Sequence, residues 1–289
     1  MLGRSERESG AHALEAARLG GWDAAEGNDG VEDVLDLGAM SATLATVARI
    51  EGMLGVMHIG HPAQPDHDLE RALLASAPSV RVTAAVAVPS QWVWVSRAAE
   101  ASGQVVVDEA AMRDCRHALR SMGAAPHLVP ARTGLAERVA MAGETGSLVV
   151  ERPLVPEAFH ELPGSERLGA RAPLWYGLVE SVSVPADFDV PAQVWLAFGP
   201  REDHRGSLQR SLELIADAGI NLQHLRSQQS ADGPHAFFAA FRCPSSTVLR
   251  GLRADLGRDG IAHRVLAVLP GHEFAPGPDA IQPRWAPAL

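Results

Sequence analysis

The sequence has no lysine and only two cysteines, and each shortage excludes a class of chemistry. All 25 basic residues among the 289 are arginine. This excludes a Schiff-base lysine, a pyridoxal-phosphate anchor and the lysine of a phosphate-binding loop. Cys115 and Cys243 form no Cys-x-x-Cys pair, so a zinc ribbon and a disulfide framework are excluded. We predict no cofactor and no metal.

The chain also lacks an excess of positive charge and any long apolar run. Its formal net charge is -10, so a nucleic-acid partner is not expected, because phosphate binding depends on cationic side chains. No apolar run approaches the about 20 residues of a membrane span, and the amino terminus is charged where a signal peptide is apolar. We expect a soluble, cytoplasmic protein with no membrane partner. The length and the 46% hydrophobic content predict a packed core and room for two domains.

Residues 1–190 predict strands that alternate with helices. Hydrophobic periodicity predicts helices over 11–19, 31–50, 68–76, 109–122 and 133–142. Strands are predicted over 53–59, 80–88, 92–96, 104–107, 127–130 and 147–150. This alternation predicts an α/β fold with largely parallel strands. Residues 151–190 are too rich in proline and glycine to be assigned.

Residues 191–271 predict the order β-α-β-β-α-β, a ferredoxin-like unit. Gly206-Ser207-Leu208 opens its first helix, Gly219 ends that helix, and Asn221 leads into the second strand. This unit resembles an ACT domain, the amino-acid-sensing module of biosynthetic enzymes. The resemblance implies that Gly206, Ser207, Leu208, Asn221 and Ser227 contact an amino-acid effector. Residues 272–289 form a proline-rich tail.

With an ACT domain at its end, the chain resembles a prephenate dehydratase. In that family a periplasmic-binding-protein-like domain of two α/β lobes, here residues 1–190 with a second lobe at about 90–168, precedes the ACT domain. The resemblance implies a lyase of the shikimate pathway and of aromatic amino acid (L-phenylalanine) biosynthesis. It also implies a small carboxylate ligand in the cleft between the lobes and a homodimer or tetramer. The family's motifs fall on residues 3–9, 57–61, 107–110 and 192–194.

The motifs depart from the family pattern. The Thr-Arg-Phe signature reads Ala192-Gln193-Val194, in which alanine donates no proton and glutamine carries no charge. Dehydration with decarboxylation needs a donor for the leaving hydroxyl and a cation for the carboxylates. The effector motif Glu-Ser-Arg-Pro reads Arg226-Ser227-Gln228-Gln229.

Three functions therefore stay open. The first is a lyase on prephenate or a related cyclohexadienyl acid, which either dehydrates its substrate or decarboxylates it without losing the hydroxyl. The second is a non-catalytic small-molecule-binding or regulatory protein. The third is a catalyst of another reaction in specialised metabolism.

His58, His61 and Ser9 are the candidate catalytic residues. The two histidines replace residues of the family's cleft loop, and Ser9 matches a serine of its start motif. A metal site with His67 is an alternative, although the spacing matches no common zinc site. A surface role for the histidines and helix capping by Ser9 are the others.

Arg132, Thr133 and Gln193 are the candidate substrate-binding residues. Arg132 and Thr133 lie at a strand-to-helix turn, where an anion is readily held. Capping of the following helix by Thr133 is the alternative. Gln193 is assigned through the Thr-Arg-Phe position that it occupies.

Other polar and aromatic residues have simpler explanations. Asp108 and Glu109 suit the positive end of a helix dipole. Trp92 and Trp94 indicate core packing rather than a stacking platform. His224 and Arg226 read as exposed edge-strand residues, with contact to an anionic effector as the alternative, and Cys115 reads as core packing.

Overall fold

The computed structural model of this chain divides into two compact units. It describes residues 1–6, 9–22, 34–101, 104–123, 125–130, 133–169, 172–202, 205–229, 233–271 and 274. The first unit combines Met1–Val86 with Trp175–Leu289, and the second is Ala87–Leu174. Residues 191–271 thus share a compact unit with the amino-terminal segment.

The first unit contains one mixed sheet with helices on its faces. Its amino-terminal elements are β1 (Leu2–Arg4), α1 (Gly10–Gly20), β2 (Leu35–Asp36), α2 (Met40–Arg49), β3 (Leu54–His61), β4 (Gln64–Pro65), α3 (His67–Ala75) and β5 (Val80–Val88). The second unit contains β6 (Trp92–Ser96), β7 (Val105–Asp108), α4 (Glu109–Ser121), β8 (Pro126–Val129), α5 (Leu135–Ala142), β9 (Ser147–Glu151) and β10 (His160–Glu161). The chain then returns to the first unit through β11 (Leu174–Ser181), β12 (Ala192–Pro200), α6 (Ser207–Asp217), β13 (Leu222–Gln228), β14 (Ala236–Cys243), α7 (Ser246–Arg258) and β15 (Ile261–Pro270).

Most predicted elements are present, and two predictions need correction. The β-α-β-β-α-β order of residues 191–271 is found as β12 to β15 with α6 and α7. The helix predicted over 31–50 begins only at Met40, because Leu35–Asp36 pairs with β1 and Gly38 turns the chain with φ of 80°. The sheets are mixed rather than largely parallel, since β3 pairs antiparallel with β11 and β6 pairs antiparallel with β9.

The carboxy-terminal strands continue the sheet of the amino-terminal segment. Among the described residues the order is β13-β14-β12-β15-β5-β11-β3-β1-β2, with β4 beside β3. The two parts join where β15 pairs in parallel with β5, at Ala267 and Val82. Strand residues alternate between faces, so β12 presents Trp195 to the core shared with α2 and α3 and Leu196 to the core shared with α6 and α7.

The second unit has a core on each face of its five-stranded sheet. Trp92 packs in the core beside α4, as predicted, and its indole N–H donates to Asp114 at 3.2 Å. Cys115 is buried in the same core. Asp108 accepts from the Ala111 N–H at the start of α4, which confirms its role at a helix start.

The carboxyl end of α3 is capped by an arginine from β15. Arg264 donates to the carbonyl oxygens of Leu73, Ser76, Ala77 and Val80 at 2.6–3.0 Å. Burial, and then the nearby guanidinium of Arg81, lowers the pKa of Arg264. Because the last carbonyls of a helix have no partner within the helix, this cation both satisfies them and opposes the helix dipole.

Among the helices of the described ranges, none combines the length and the apolar character that crossing a membrane requires.

We predict that Arg264→Met lowers the free energy of unfolding by about 2–4 kcal/mol, because it removes several charge-assisted hydrogen bonds that fix the carboxyl end of α3 to β15. Urea unfolding followed by tryptophan fluorescence measures the change. Arg258→Met is the control, since that exposed arginine pairs with Asp255 one helical turn away and its loss should change stability little. An equal loss in the two variants would contradict the capping role.

Candidate functional site

Strand topology brings several polar residues to one edge of the first unit. β1 and β3 are parallel, with Leu2 opposite Leu54, so their carboxyl ends lie at the same edge. β11 runs antiparallel to β3 and starts at this edge, with Tyr176 opposite His58. One site therefore takes its side chains from the loop ends of β1 and β3 and from the start of β11. Helix α1, which contacts β3, contributes to the same site.

Three ionisable rings, His12, His58 and Tyr176, form a histidine–tyrosine cluster at this edge. The His12 and Tyr176 rings stack with centroids 6.5 Å apart and an interplanar angle of 14°. The His58 ring meets Tyr176 edge-on with centroids 5.7 Å apart. His12 and Tyr176 are 4% and 3% exposed, whereas His58 is half-buried. The cluster thus places two imidazoles, whose ring nitrogens can donate or accept a hydrogen bond, beside a phenol hydroxyl, which can do both.

His61 belongs to a neighbouring aromatic triad with Trp175 and Phe274. Its ring centroid lies 6.2 Å from that of Trp175 and 6.3 Å from that of Phe274, and all the contacts are edge-on. The backbone N–H of Ala63 donates to its Nδ1 at 3.1 Å. A neutral His61 therefore carries its proton on Nε2, which makes Nε2 the donor.

The two candidate histidines are held by a tight hairpin. Gly60 adopts φ of 73°, and a Cβ built on it would lie 2.7 Å from the Asp66 backbone nitrogen. That nitrogen donates to the Ile59 carbonyl at 3.0 Å. A register shift in β11 between Trp175 and Tyr176 lies opposite. The irregularity lets His58 meet Tyr176 while His61 meets the adjacent Trp175.

The metal reading of this segment receives no support. The Asp66 carboxylate caps α3 by accepting from the backbone N–H groups of Asp68 and Leu69. Across the described ranges, no group of three His, Cys, Asp or Glu side chains is arranged to hold a metal ion.

Ser5 and Ser9 lie between β1 and α1 in the sequence. Ser9 occupies the cap position of α1, but its side chain makes no capping hydrogen bond, so the capping alternative is wrong. Ser5, directly after β1, is fully buried, and its Oγ has no hydrogen-bond partner within the described residues. Both hydroxyls are therefore uncommitted to the local backbone.

The structure describes two of the three candidate substrate-binding residues, Thr133 and Gln193. Arg132 lies outside the described residues. Thr133 belongs to the second unit, where Gly134 rather than Thr133 is the cap of α5, and among the described residues no side chain caps that helix. Gln193 lies in β12, the first strand of the carboxy-terminal unit, where it is 1% exposed and its Nε2 has no partner in the described part of the chain.

His224 and Arg226 are not the exposed edge residues that the alternation suggested. Arg226 donates from Nη1 to the fully buried carboxylate of Glu70 at 2.7 Å. The Nε2 of His224 lies 3.3 Å from the other oxygen of the same carboxylate. The acidic partner of both side chains, Glu70, lies on α3. Because Glu70 and Arg226 are 156 positions apart, no local sequence pattern predicted the pairing.

A cavity of about 260 Å³ opens beside the amino terminus of α6. It is lined by Pro200, Arg201, Glu202, Ser207, Arg210, Asp259, Gly260 and Ile261. The hydrogen bond that Arg210 donates to the Asp259 carboxylate raises the pKa of Arg210, so this arginine stays charged. Of the predicted effector residues, Ser207 lines the cavity, and Gly206 lies directly before Ser207 in the chain with φ of 92°. The other three, Leu208, Asn221 and Ser227, are not among the lining residues.

Sequence reasoning missed His12, Tyr176, Trp175 and Glu70. The spacing of Ser9 and His12, three residues apart on the first turn of a helix, places both on one face and was the available signal for His12. Trp175 and Tyr176 lie in the proline-rich and glycine-rich segment that periodicity left unassigned, and nothing in the sequence distinguished Glu70 from other helix carboxylates.

No family model matches this sequence, and no curated protein matches it. Solved structures do match it, over nearly its whole length. The prephenate dehydratase of Arthrobacter aurescens in complex with L-Phe superposes with a TM-score of 0.72 at 17% identity, covering 96% of this chain and 94% of that chain. The prephenate dehydratase of Staphylococcus aureus subsp. aureus Mu50 gives a TM-score of 0.63 at 12% identity, covering 93% of this chain and 100% of that one.

A third solved structure with this fold has a different description. GqqA, a novel type of quorum quenching acylase, superposes with a TM-score of 0.66 at 16% identity and covers 94% of this chain and 98% of that chain. At these identities the likeness shows a shared fold. The chain thus has the fold of the prephenate dehydratases, and that fold is shared with an acylase.

We predict that Gly60→Ala lowers the free energy of unfolding by about 1–3 kcal/mol, because it strains a left-handed residue and pushes a Cβ against the Asp66 backbone. Gly251→Ala is the matched control, since Gly251 lies within α7 with open space around its Cβ position. That change should leave stability equal or raise it by up to about 1 kcal/mol. Urea unfolding compares the two, and a harmless Gly60→Ala would argue against a constrained hairpin.

Proposed function

We propose that this chain is a prephenate dehydratase-like lyase acting on prephenate or a related cyclohexadienyl acid. The shared fold, over 96% of the chain, supports the substrate class. The observation that carries the proposal is the histidine–tyrosine cluster, in which two imidazoles flank a buried phenol at the carboxyl end of β3. The cluster supplies proton donors in a chain that lacks the family's Thr-Arg-Phe signature at 192–194.

Dehydration with decarboxylation breaks one bond at each end of the ring, whereas decarboxylation alone breaks only the bond to the ring carboxylate. The bond to the ring carboxylate breaks and releases CO2, and its electron pair moves into the ring. If the opposite hydroxyl accepts a proton at the same time, it leaves as water and the ring becomes aromatic. If no proton reaches it, the hydroxyl stays and the electron pair is taken up by a proton from elsewhere. A donor such as His58 or Tyr176 decides between these outcomes.

Charged and polar groups are also needed for the substrate's carboxylates. We assign these contacts to Arg132, Thr133 and Gln193, as the sequence suggests. Gln193 is supported by its buried amide nitrogen, which has no partner among the described residues and is costly to leave unpaired. His61, whose Nε2 is the donor, and Ser9 complete the proposed site.

The carboxy-terminal unit is proposed to be an ACT domain that binds an amino-acid effector. Its element order and the L-Phe bound to the Arthrobacter aurescens protein support this assignment. In the cavity at α6, the helix amino terminus and Arg201 suit a carboxylate. Glu202 and Asp259 suit an ammonium group.

A second candidate is amide hydrolysis, which the fold of GqqA brings into consideration. One observation favours it. The Ser9 hydroxyl is free of capping bonds at the amino terminus of α1, and His12 lies one turn further on the same helix. A serine, a histidine and the N–H groups at a helix amino terminus are the components of acyl transfer.

The first prediction of function concerns turnover. Purified protein should consume prephenate faster than the spontaneous reaction, as followed by loss of the diene chromophore. Mass spectrometry then shows whether the product has lost CO2 and water or only CO2. Binding without turnover would instead favour a non-catalytic regulatory protein, and release of amine from an N-acyl amide probe, abolished by Ser9→Ala, would favour the acylase.

His58→Gln and Tyr176→Phe should each lower the rate of prephenate consumption by about 10²–10⁴-fold, because each removes a proton donor while keeping much of the side-chain shape. His117→Gln is the control, since His117 is exposed on α4 in the second unit. Circular dichroism and thermal unfolding establish that the variants are folded. Wild-type rates in both site variants would remove the cluster from the mechanism.

Calorimetric titration should show L-Phe binding to the full chain, and Arg201→Gln should raise its Kd by about 10–100-fold, the effect of one lost charge-assisted hydrogen bond. Arg250→Gln serves as the control, because Arg250 lies on α7 and pairs with Asp187 away from the cavity. No binding to wild-type protein, or equal loss in both variants, would refute the effector site.

A further inference from the structure

A buried carboxylate joins the edge strand β13 to helix α3. Glu70 is 0% exposed and accepts a hydrogen bond from Arg226 at 2.7 Å. His224, also on β13, lies 3.3 Å from its second oxygen, and His67, on α3 itself, lies 3.7 Å from the first. Three basic side chains from two elements thus surround one buried negative charge.

The strand side of this contact carries a predicted effector residue. Residues of β13 alternate in burial, so that His224, Arg226 and Gln228 are half-buried while Ser227 is exposed. The Nε2 of Gln228 lies 3.2 Å from the Nδ1 of His67. Ser227 is therefore bracketed by two side chains that contact α3, and a shift of β13 at Ser227 displaces both.

The helix side leads directly into the candidate site. The first turn of α3 is fixed to β3 by the Asp66 N–H, which donates to Ile59, and by the Asp66 carboxylate, which caps the helix. Pro62 lies between Ile59 and Asp66 in the sequence, and its carbonyl accepts a hydrogen bond of 2.7 Å from the buried indole of Trp195 on β12. Only five residues, 62–66, separate His61 from the first residue of α3, and the hydrogen bonds of the hairpin restrain that connection.

An ion pair of this kind resists separation. Moving Arg226 away would leave the Glu70 carboxylate buried and unpaired, which is far more costly than losing an exposed pair. The other end of α3 is held by Arg264, which donates to the carbonyl oxygens of Leu73 in the last turn and of Ser76 at the cap position. A displacement of β13 is therefore expected to tilt the first half of α3, where Glu70 lies, rather than to slide the whole helix.

We propose that Glu70 is a positioning residue that couples strand β13 to His61, so that the state of the carboxy-terminal unit sets the position of the candidate catalytic histidine. The identities of effector and reaction rest on the proposed function. The coupling of β13 to His61 does not depend on either, and it is tested separately.

The ligand-free experiment records the ring resonances of His61 by NMR in the full chain, assigned by their loss in His61→Gln. Glu70→Gln and Arg226→Met should each shift these resonances, and the double variant should shift them no further than either alone, because both remove the same contact. Arg226→Lys should restore most of the wild-type position. Arg138→Met is the matched control, since Arg138 forms an ion pair of 2.8 Å with Asp108 in the second unit.

The second experiment adds L-Phe to the same proteins. The wild-type protein and Arg138→Met should show a shift of the His61 resonances on binding, and Glu70→Gln and Arg226→Met should lose that shift while still binding L-Phe by calorimetry. Hydrogen exchange of residues 67–70 should follow the same pattern.

The outcomes separate the two proposals. His61 resonances that are unchanged in folded Glu70→Gln and Arg226→Met would overturn the coupling, whatever L-Phe does. Additive shifts in the double variant, or a failure of Arg226→Lys to restore them, would also overturn it. Absence of L-Phe binding to the wild-type protein would refute the effector site while the ligand-free result still decides the coupling.

Discussion

The contact between one face of the carboxy-terminal strands and helix α3 determines how the first unit is built. Its centre is apolar, with Trp195 and Phe238 from the sheet against Leu69 and Leu73 from the helix, all fully buried. Burial of such side chains is the main stabilising contribution, and it has no direction. Orientation comes from the polar bonds around the apolar centre, which hold the hairpin before α3 and the middle and end of the helix itself.

The candidate site depends on this contact through strand β3. The hairpin that ends β3 leads into α3, so the position of α3 fixes His58 and His61 against β11. Register then selects their partners, because Tyr176 lies directly opposite His58. A shift of one residue would turn every side chain of the strand to the other face. The left-handed Gly60 and the irregularity in β11 allow two histidines three residues apart to meet adjacent residues of one strand.

Much of the secondary structure was predictable, because its signals are local. The periodicity of α3 and α4, the capping residue Asp108 and the order of elements from β12 to β15 are all written in short stretches of sequence. The predicted start of the helix over 31–50 was wrong, because pairing of Leu35–Asp36 with β1 overrode an apolar pattern that also suited a helix. Strand β11 was missed because prolines and glycines on both sides hid a short apolar run, and with it Trp175 and Tyr176.

The sequence by itself determined which chemistries are absent, the order of the elements in the carboxy-terminal unit and the candidacy of His58 and His61. Only the tertiary structure decided which groups accompany them. His12 and Tyr176 join His58 from elements far apart in the chain, and Glu70 meets Arg226 across 156 positions. The physical reason is that a helix or a turn depends on neighbouring residues. A buried ring or charge finds its partner only after the backbone has brought distant segments together, and many distant partners suit the same local pattern.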